Sequence, residues 1–150
     1  MQVLEQIDPA LQVLLVCSTA TADQADATVR QALLQSANIT LIEDYLPAVE
    51  QLYQMADCYV FPVVEQGNCI DVPRSCLEAA ACGTPVLTTA YGEMAQLLAK
   101  EGFFPLESFA GEELSRSLWK AMECGRDPRQ AALEYDWDCA VERLTQIWES

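Results

Sequence analysis

Apolar and polar positions along this chain follow two periods, and the switches between them mark out the elements. Leu11-Gln-Val-Leu-Leu-Val-Cys17 is an apolar run of strand length. Its Val and Leu content is too high for an edge strand, which predicts a parallel-sheet strand buried on both faces. Around Asp23 to Ser36 the positions Ala22, Ala25, Val29, Ala32 and Leu33 recur at three- and four-residue steps, the stripe of an amphipathic helix. Asn38-Ile-Thr-Leu-Ile42 is a second strand. Pro47 opens a second helix, carried by Val49, Leu52, Tyr53 and Ala56 at i, i+3, i+4 and i+7. Asp57-Cys-Tyr-Val-Phe-Pro62 then returns to strand composition.

After Pro62 the periodicity stops. Residues 64–72 (VEQGNCIDV) are polar and irregular and end before Pro73, a residue suited to a first helical turn. A short helix follows through Ser75, Leu77, Ala80 and Ala81, with Gly83 as its C-terminal breaker. Pro85–Thr89 is a compact strand, Gly92 leads into a helix over Met94 to Ala99, and Gly102–Pro105 is a weak last strand. Leu114, Leu118, Ala121 and Met122 mark one terminal helix; Trp137, Ala140, Val141, Leu144 and Trp148 mark another. Trp137 and Trp148 lie on the apolar stripe of that helix, which makes them core or interface residues. The order β-α-β-α-β-loop-α-β-α-β, with short connections, predicts an α/β domain: a three-layer, doubly wound parallel sheet with extra C-terminal helices. No repeat, low-complexity stretch or linker divides it, so one domain over residues 1–150 is expected.

Composition narrows the chemistry. A 150-residue chain with a hydrophobic fraction of 51% supports one well-buried core. No run approaches the roughly 18 apolar residues of a membrane-spanning helix, and the start, Met1-Gln2-Val3-Leu4-Glu5, lacks the basic region of a secretory signal. The expectation is a soluble, cytoplasmic protein without a transmembrane segment. Seven scattered cysteines form no C-x-x-C pair and read as reduced, mostly buried thiols. The absence of histidine removes imidazole bases and nucleophile triads, and with Cys69 and Cys76 seven apart and no imidazole partner, no metal site is expected. A net charge of −15 argues against nucleic acid as a partner. It also requires any phosphate site to be strongly local, built from helix N-termini and backbone N–H groups or from an arginine supplied by another part.

In open α/β sheets ligands bind beyond the carboxyl ends of the strands, here the loops after Val16, Ile42, Pro62 and Thr89. The longest of these, after Pro62, gathers Glu65, Asn68, Asp71, Arg74, Ser75 and Glu78 at a loop-to-helix junction, whose positive dipole end suits an anion.

Leu52-Tyr-Gln-Met-Ala-Asp-Cys-Tyr-Val-Phe-Pro62, followed by Leu77-Glu-Ala-Ala-Ala-Cys-Gly-Thr-Pro-Val-Leu-Thr-Thr89, resembles the signature of the donor-binding domain of GT4-like, retaining GT-B glycosyltransferases. The resemblance covers roughly residues 11 to 149. It implies a Rossmann-like domain, the C-terminal half of a GT-B fold, that binds a nucleotide-diphosphate sugar as donor and needs no metal or other cofactor. By this resemblance Glu78 is the second glutamate of the family's E-x7-E motif and accepts hydrogen bonds from the ribose hydroxyls. A carboxylate suits two vicinal hydroxyls because it accepts at both oxygens. The first glutamate, which the family uses near the transferred sugar, has no clean counterpart: Glu65 lies 13 positions before Glu78, and the residue eight before is Ile70, beside Asp71. Either the loop carries an insertion and Glu65 still reaches the sugar as the catalytic residue, or Asp71 takes over, or the role is lost. Gly67 and Asn68 are candidates for amide contacts to sugar or phosphate, and the backbone at Arg74 and Ser75 for the diphosphate. Where the family shows T-x-x-G-G-x-x-E, this chain keeps Thr89 and Gly92 but has Glu93 and Gln96 at the other two places.

The family's cationic clamp on the diphosphate precedes the region of resemblance, as does its acceptor-binding domain. The chain is therefore expected to depend on a missing N-terminal acceptor domain or partner protein and to be inactive alone. Two functions follow: the donor-binding part of a hexosyltransferase-type enzyme acting with retention, or a degenerate, non-catalytic relative serving as a protein-interaction module. A receiver-like signalling domain is disfavoured, because Cys17, Ser18 and Thr19 follow the first strand and Pro62 ends the third, where that chemistry needs acidic residues.

Overall fold

A computed structural model describes residues 8–17, 26–63, 67, 69–125 and 127–149. Ala22 and Ala25 of the first helical stripe, and the candidate site residues Glu65 and Asn68, lie outside the described residues. The chain is α/β, with parallel strands in two sheets flanked by helices, consistent with a Rossmann-like fold. Two compact units divide it: Met1–Ala48 with Phe109–Ser115, and Val49–Ser108 with Arg116–Ser150.

In the first unit β1 (Val13–Val16) pairs with β2 (Ile39–Ile42) in parallel, Val13 opposite Ile39. Helix α1 (Ala27–Gln35) crosses between them and packs on β2. Its start is set by Asp26, whose carboxylate accepts from the backbone N–H of Thr28 (2.8 Å) and Val29 (3.1 Å), so two of the helix's orphan donors are satisfied. The expected burial of the first strand on both faces does not hold. Leu14 and Val16 are exposed while Val13 and Leu15 are half-buried, the alternation of a strand with one face in solvent. Hydrogen bonds from Val29 and Thr28 hold the Asp26 carboxyl below its ordinary value. A group lowered by folding stabilises the folded state above its unfolded pKa, and that contribution is lost as pH falls through the lowered value. Asp26→Ala should therefore speed amide exchange in the first turn of α1 at neutral pH, with the difference from wild type shrinking in acid.

The second unit holds the main core. β3 (Tyr59–Phe61), β4 (Val86–Thr88) and β5 (Phe103–Pro105) form a parallel sheet in that order. Central β4 is fully buried, and the Thr88 hydroxyl it carries inside donates to the Phe61 carbonyl at 2.9 Å, which satisfies a polar group that would otherwise be costly. Helix α2 (Val49–Met55) precedes β3, α3 (Arg74–Ala81) links β3 to β4, and the short α4 (Met94–Leu97) links β4 to β5 with Met94 and Leu97 buried. These elements follow the sequence pattern within a residue or two at each end.

Three features of the rest depart from it. Between α5 (Gly111–Glu123) and α7 (Trp137–Glu149) lies an additional helix, α6 (Arg129–Leu133), which packs on α3. Its five residues are too few for a legible period, and the fully buried Pro128 before it anchors the turn. Second, α7 buries none of its residues: Trp137 is 82% and Trp148 91% exposed, and Val141 and Leu144 are also exposed. Their 4-3-4 spacing does form one apolar stripe, but these tryptophans are not core residues, because no described residue covers them. Third, of the seven cysteines, all free, only Cys76 is buried; Cys17 is exposed and the others are half-buried, so the thiols are not mostly buried as expected.

Candidate functional site

Helix α3 carries the site, and small residues fix where it sits. Cys76, Ala79 and Ala80 are fully buried, and their short side chains let the helix lie close to β3 and β4. Pro73, at φ −65°, starts the helix without a side-chain cap. Gly83, at φ +88°, ends it, donating to the Ala80 carbonyl at 2.9 Å, a left-handed stop that favours glycine. The Arg129 guanidinium from the start of α6 fills the space beside Gly83 and donates to the Cys82 carbonyl at 3.1 Å, serving one of the orphan acceptors at the helix end. With one face committed to the core, Arg74, Glu78 and Ala81, at i, i+4 and i+7, occupy the solvent side.

The Glu78 carboxylate has two neighbours. The buried Tyr53 hydroxyl of α2 donates to Oε2 at 3.4 Å, and Arg74 Nη2 lies 3.8 Å from Oε1. The side chains of Arg74 and Glu78 are 87% and 44% exposed, so the pair is a solvent-screened helix contact worth about 0.3–0.5 kcal/mol and does not lock the carboxylate. Tyr53 itself stands edge-on to Tyr59, ring centroids 5.4 Å apart at 88°, and its carbonyl accepts from the Thr84 hydroxyl. Burial, against a hydrogen bond with Ser75 that acts the other way, pushes the Tyr59 phenol up to about 12. Burial likewise pushes the Cys76 thiol up to about 12, which leaves it protonated and inert at neutral pH.

The loops at the carboxyl ends of β3 and β4 are tied together. The Thr89 hydroxyl donates to the Val63 carbonyl at 3.0 Å and accepts from the Val63 N–H at 3.2 Å. Further out, the Tyr91 hydroxyl donates to Cys69 Sγ at 3.6 Å. A Cβ built on Gly92, which has φ +46°, would come within 2.7 Å of Asp71 Oδ1 and 3.2 Å of the Asp71 Cα, so only glycine allows the two loops to approach this closely. Asp71, Thr89 and Gly92 are thus gathered where the strands end, while Glu78, Arg74 and Ser75 follow on α3. Gly67, at φ +104°, is exposed, with nothing within 4 Å of the position a Cβ would take, and makes no comparable contact. The sequence does not mark Tyr53 as a site residue, because its place on an apolar stripe explains it as packing alone; Arg129 lies in a helix the pattern does not reveal.

Among the described residues no group of three or more acidic or cysteine side chains is placed to hold a metal ion, and no helix is long and apolar enough to cross a membrane. Comparison with curated proteins and with solved structures returned no match. The sequence model of the family described as glycosyl transferases group 1 matches residues 1–124. That span includes every element from β1 to α5 and all the candidate site residues. The chain belongs to the glycosyl transferases group 1 family.

Proposed function

We propose that this chain is the donor-binding portion of a retaining, hexosyltransferase-type glycosyltransferase, and that it holds a nucleotide-diphosphate sugar at the carboxyl ends of β3 and β4. The observation that carries this reading is the half-exposed Glu78 carboxylate on α3, the helix that follows the loop in which Asp71 meets Gly92. In it Glu78 accepts from both ribose hydroxyls. The diphosphate lies at the start of α3, where Pro73 supplies no side-chain cap and the backbone N–H groups of Arg74 and Ser75 are available to an anion. Gly67 and Asn68 contact sugar or phosphate, and Glu65 or Asp71 stands near the transferred sugar. The reading calls for no metal or other cofactor and places the protein in the cytoplasm.

In our reading this portion transfers no sugar by itself. It works with an acceptor-binding domain or partner protein. Calorimetric titration with UDP-, GDP- and ADP-sugars tests the proposal. One of them should bind, in the micromolar to millimolar range; no heat from any of them at millimolar concentration would overturn it. In that event the alternative, a non-catalytic interaction module, is favoured by the exposed stripe of Trp137, Val141, Leu144 and Trp148 on α7.

A further inference from the structure

We infer that the Tyr53 hydroxyl is a positioning group for the site: it pins one oxygen of Glu78 so that the carboxylate presents its remaining acceptor positions to a vicinal diol. The inference rests on the donor-binding function proposed above.

A carboxylate has about four lone-pair positions, two on each oxygen. Tyr53 takes one position on Oε2, while Arg74, 3.8 Å from Oε1, is an ion-pair neighbour beyond hydrogen-bond reach, so each oxygen keeps an accepting position for a ligand. That remainder matches the two hydroxyls of a ribose. The two neighbours differ in rigidity. Arg74 is a long, largely exposed side chain whose position is averaged by solvent. Tyr53 is 8% exposed, its ring is held edge-on by Tyr59, and its backbone carbonyl is tied to Thr84.

The fixed end of the arrangement is therefore the tyrosine. Burial, with Tyr59 and then Glu78 adding to it, raises the Tyr53 phenol from its ordinary value, so it remains a donor at any working pH. A side chain on the exposed face of α3 would otherwise sample several rotamers, each lost at an entropic cost on binding. Fixing one oxygen beforehand removes part of that cost, and the benefit is confined to ligands that use the diol.

The test compares the diphosphates of uridine, guanosine and adenosine with their 2′,3′-dideoxy forms, by NMR titration of the full chain and of Tyr53→Phe. Phenylalanine keeps the ring packing, and the melting temperature of the variant checks that it does. Wild type should prefer the ribose form of the nucleotide that it binds. Tyr53→Phe should lower that preference about 3- to 10-fold, as expected for a hydrogen bond to a charged group at long range, while its affinity for the dideoxy form stays as in wild type. A preference unchanged in Tyr53→Phe would overturn the inference and leave the donor-binding function standing. Equal weakening of ribose and dideoxy forms would also overturn it, since that is what a purely structural role produces. A wild type that binds no nucleotide, or binds both forms alike, removes the donor-binding reading and the inference together.

Discussion

Replacing Glu78 with alanine should weaken binding of a nucleotide-diphosphate sugar by at least about 100-fold, with the melting temperature lowered by no more than about 4 °C. The size follows from the two hydrogen bonds to an ionised acceptor that the substitution removes, each worth about 1.5–3 kcal/mol, against about 1.4 kcal/mol per factor of ten in affinity. The small loss of stability follows from the position. Glu78 lies on the solvent side of α3, its contact with Arg74 is screened, and its contact with Tyr53 is long at 3.4 Å. Glu78→Gln, which keeps one accepting oxygen, should fall between, at about a 10-fold loss. Calorimetry on the three proteins together with thermal melts measures both quantities. A variant that binds as wild type does, or one that loses affinity only because it unfolds, would contradict the role given to this carboxylate.

The second large effect concerns the scaffold. Gly102, immediately before β5, has φ +78°, and a Cβ there would lie 2.6 Å from the Pro128 Cβ and 2.8 Å from its backbone N and Cα. Pro128 is fully buried, so the obstacle cannot swing aside as a flexible side chain would. Gly102→Ala combines the left-handed backbone penalty, about 1–2 kcal/mol, with overpacking of about 1–3 kcal/mol. We expect a loss of about 3 kcal/mol and a fall in melting temperature of roughly 10 °C. Gly67→Ala is the informative contrast: φ is again positive, at +104°, but the added methyl meets nothing within 4 Å, so only the backbone penalty applies. Equal effects of the two substitutions would show that the Pro128 contact contributes nothing.

Much of this arrangement is legible in the run from Leu77 to Thr89, because almost every residue there has a local duty that also constrains its neighbours. The alanines set how closely the helix approaches the sheet, Gly83 stops it, Val86–Thr88 is apolar enough to be a buried strand, and Glu78 is left on the outside. The features that stayed hidden share one cause, dependence on partners distant in sequence. The period of α7 reveals an apolar stripe, yet nothing in a period states whether the stripe is covered. The composition of β1 marks it as a strand without saying that one of its faces meets solvent. Helix α6 is too short to show a period, and its place is decided by packing on α3 and by Pro128 and Arg129 reaching Gly102 and Gly83. Tyr53 fits an apolar stripe so well that its hydroxyl carries no sequence signal; its contact with Glu78 spans 25 residues.

The central claim is that one carboxylate on α3 receives the pentose of a nucleotide, and a crystal of this chain soaked with the tightest-binding nucleoside diphosphate tests it most directly. Electron density should show both ribose hydroxyls within hydrogen-bonding distance of Glu78 and the phosphates at the start of α3. Density that places the ribose elsewhere, with the Glu78 side chain untouched, would contradict it.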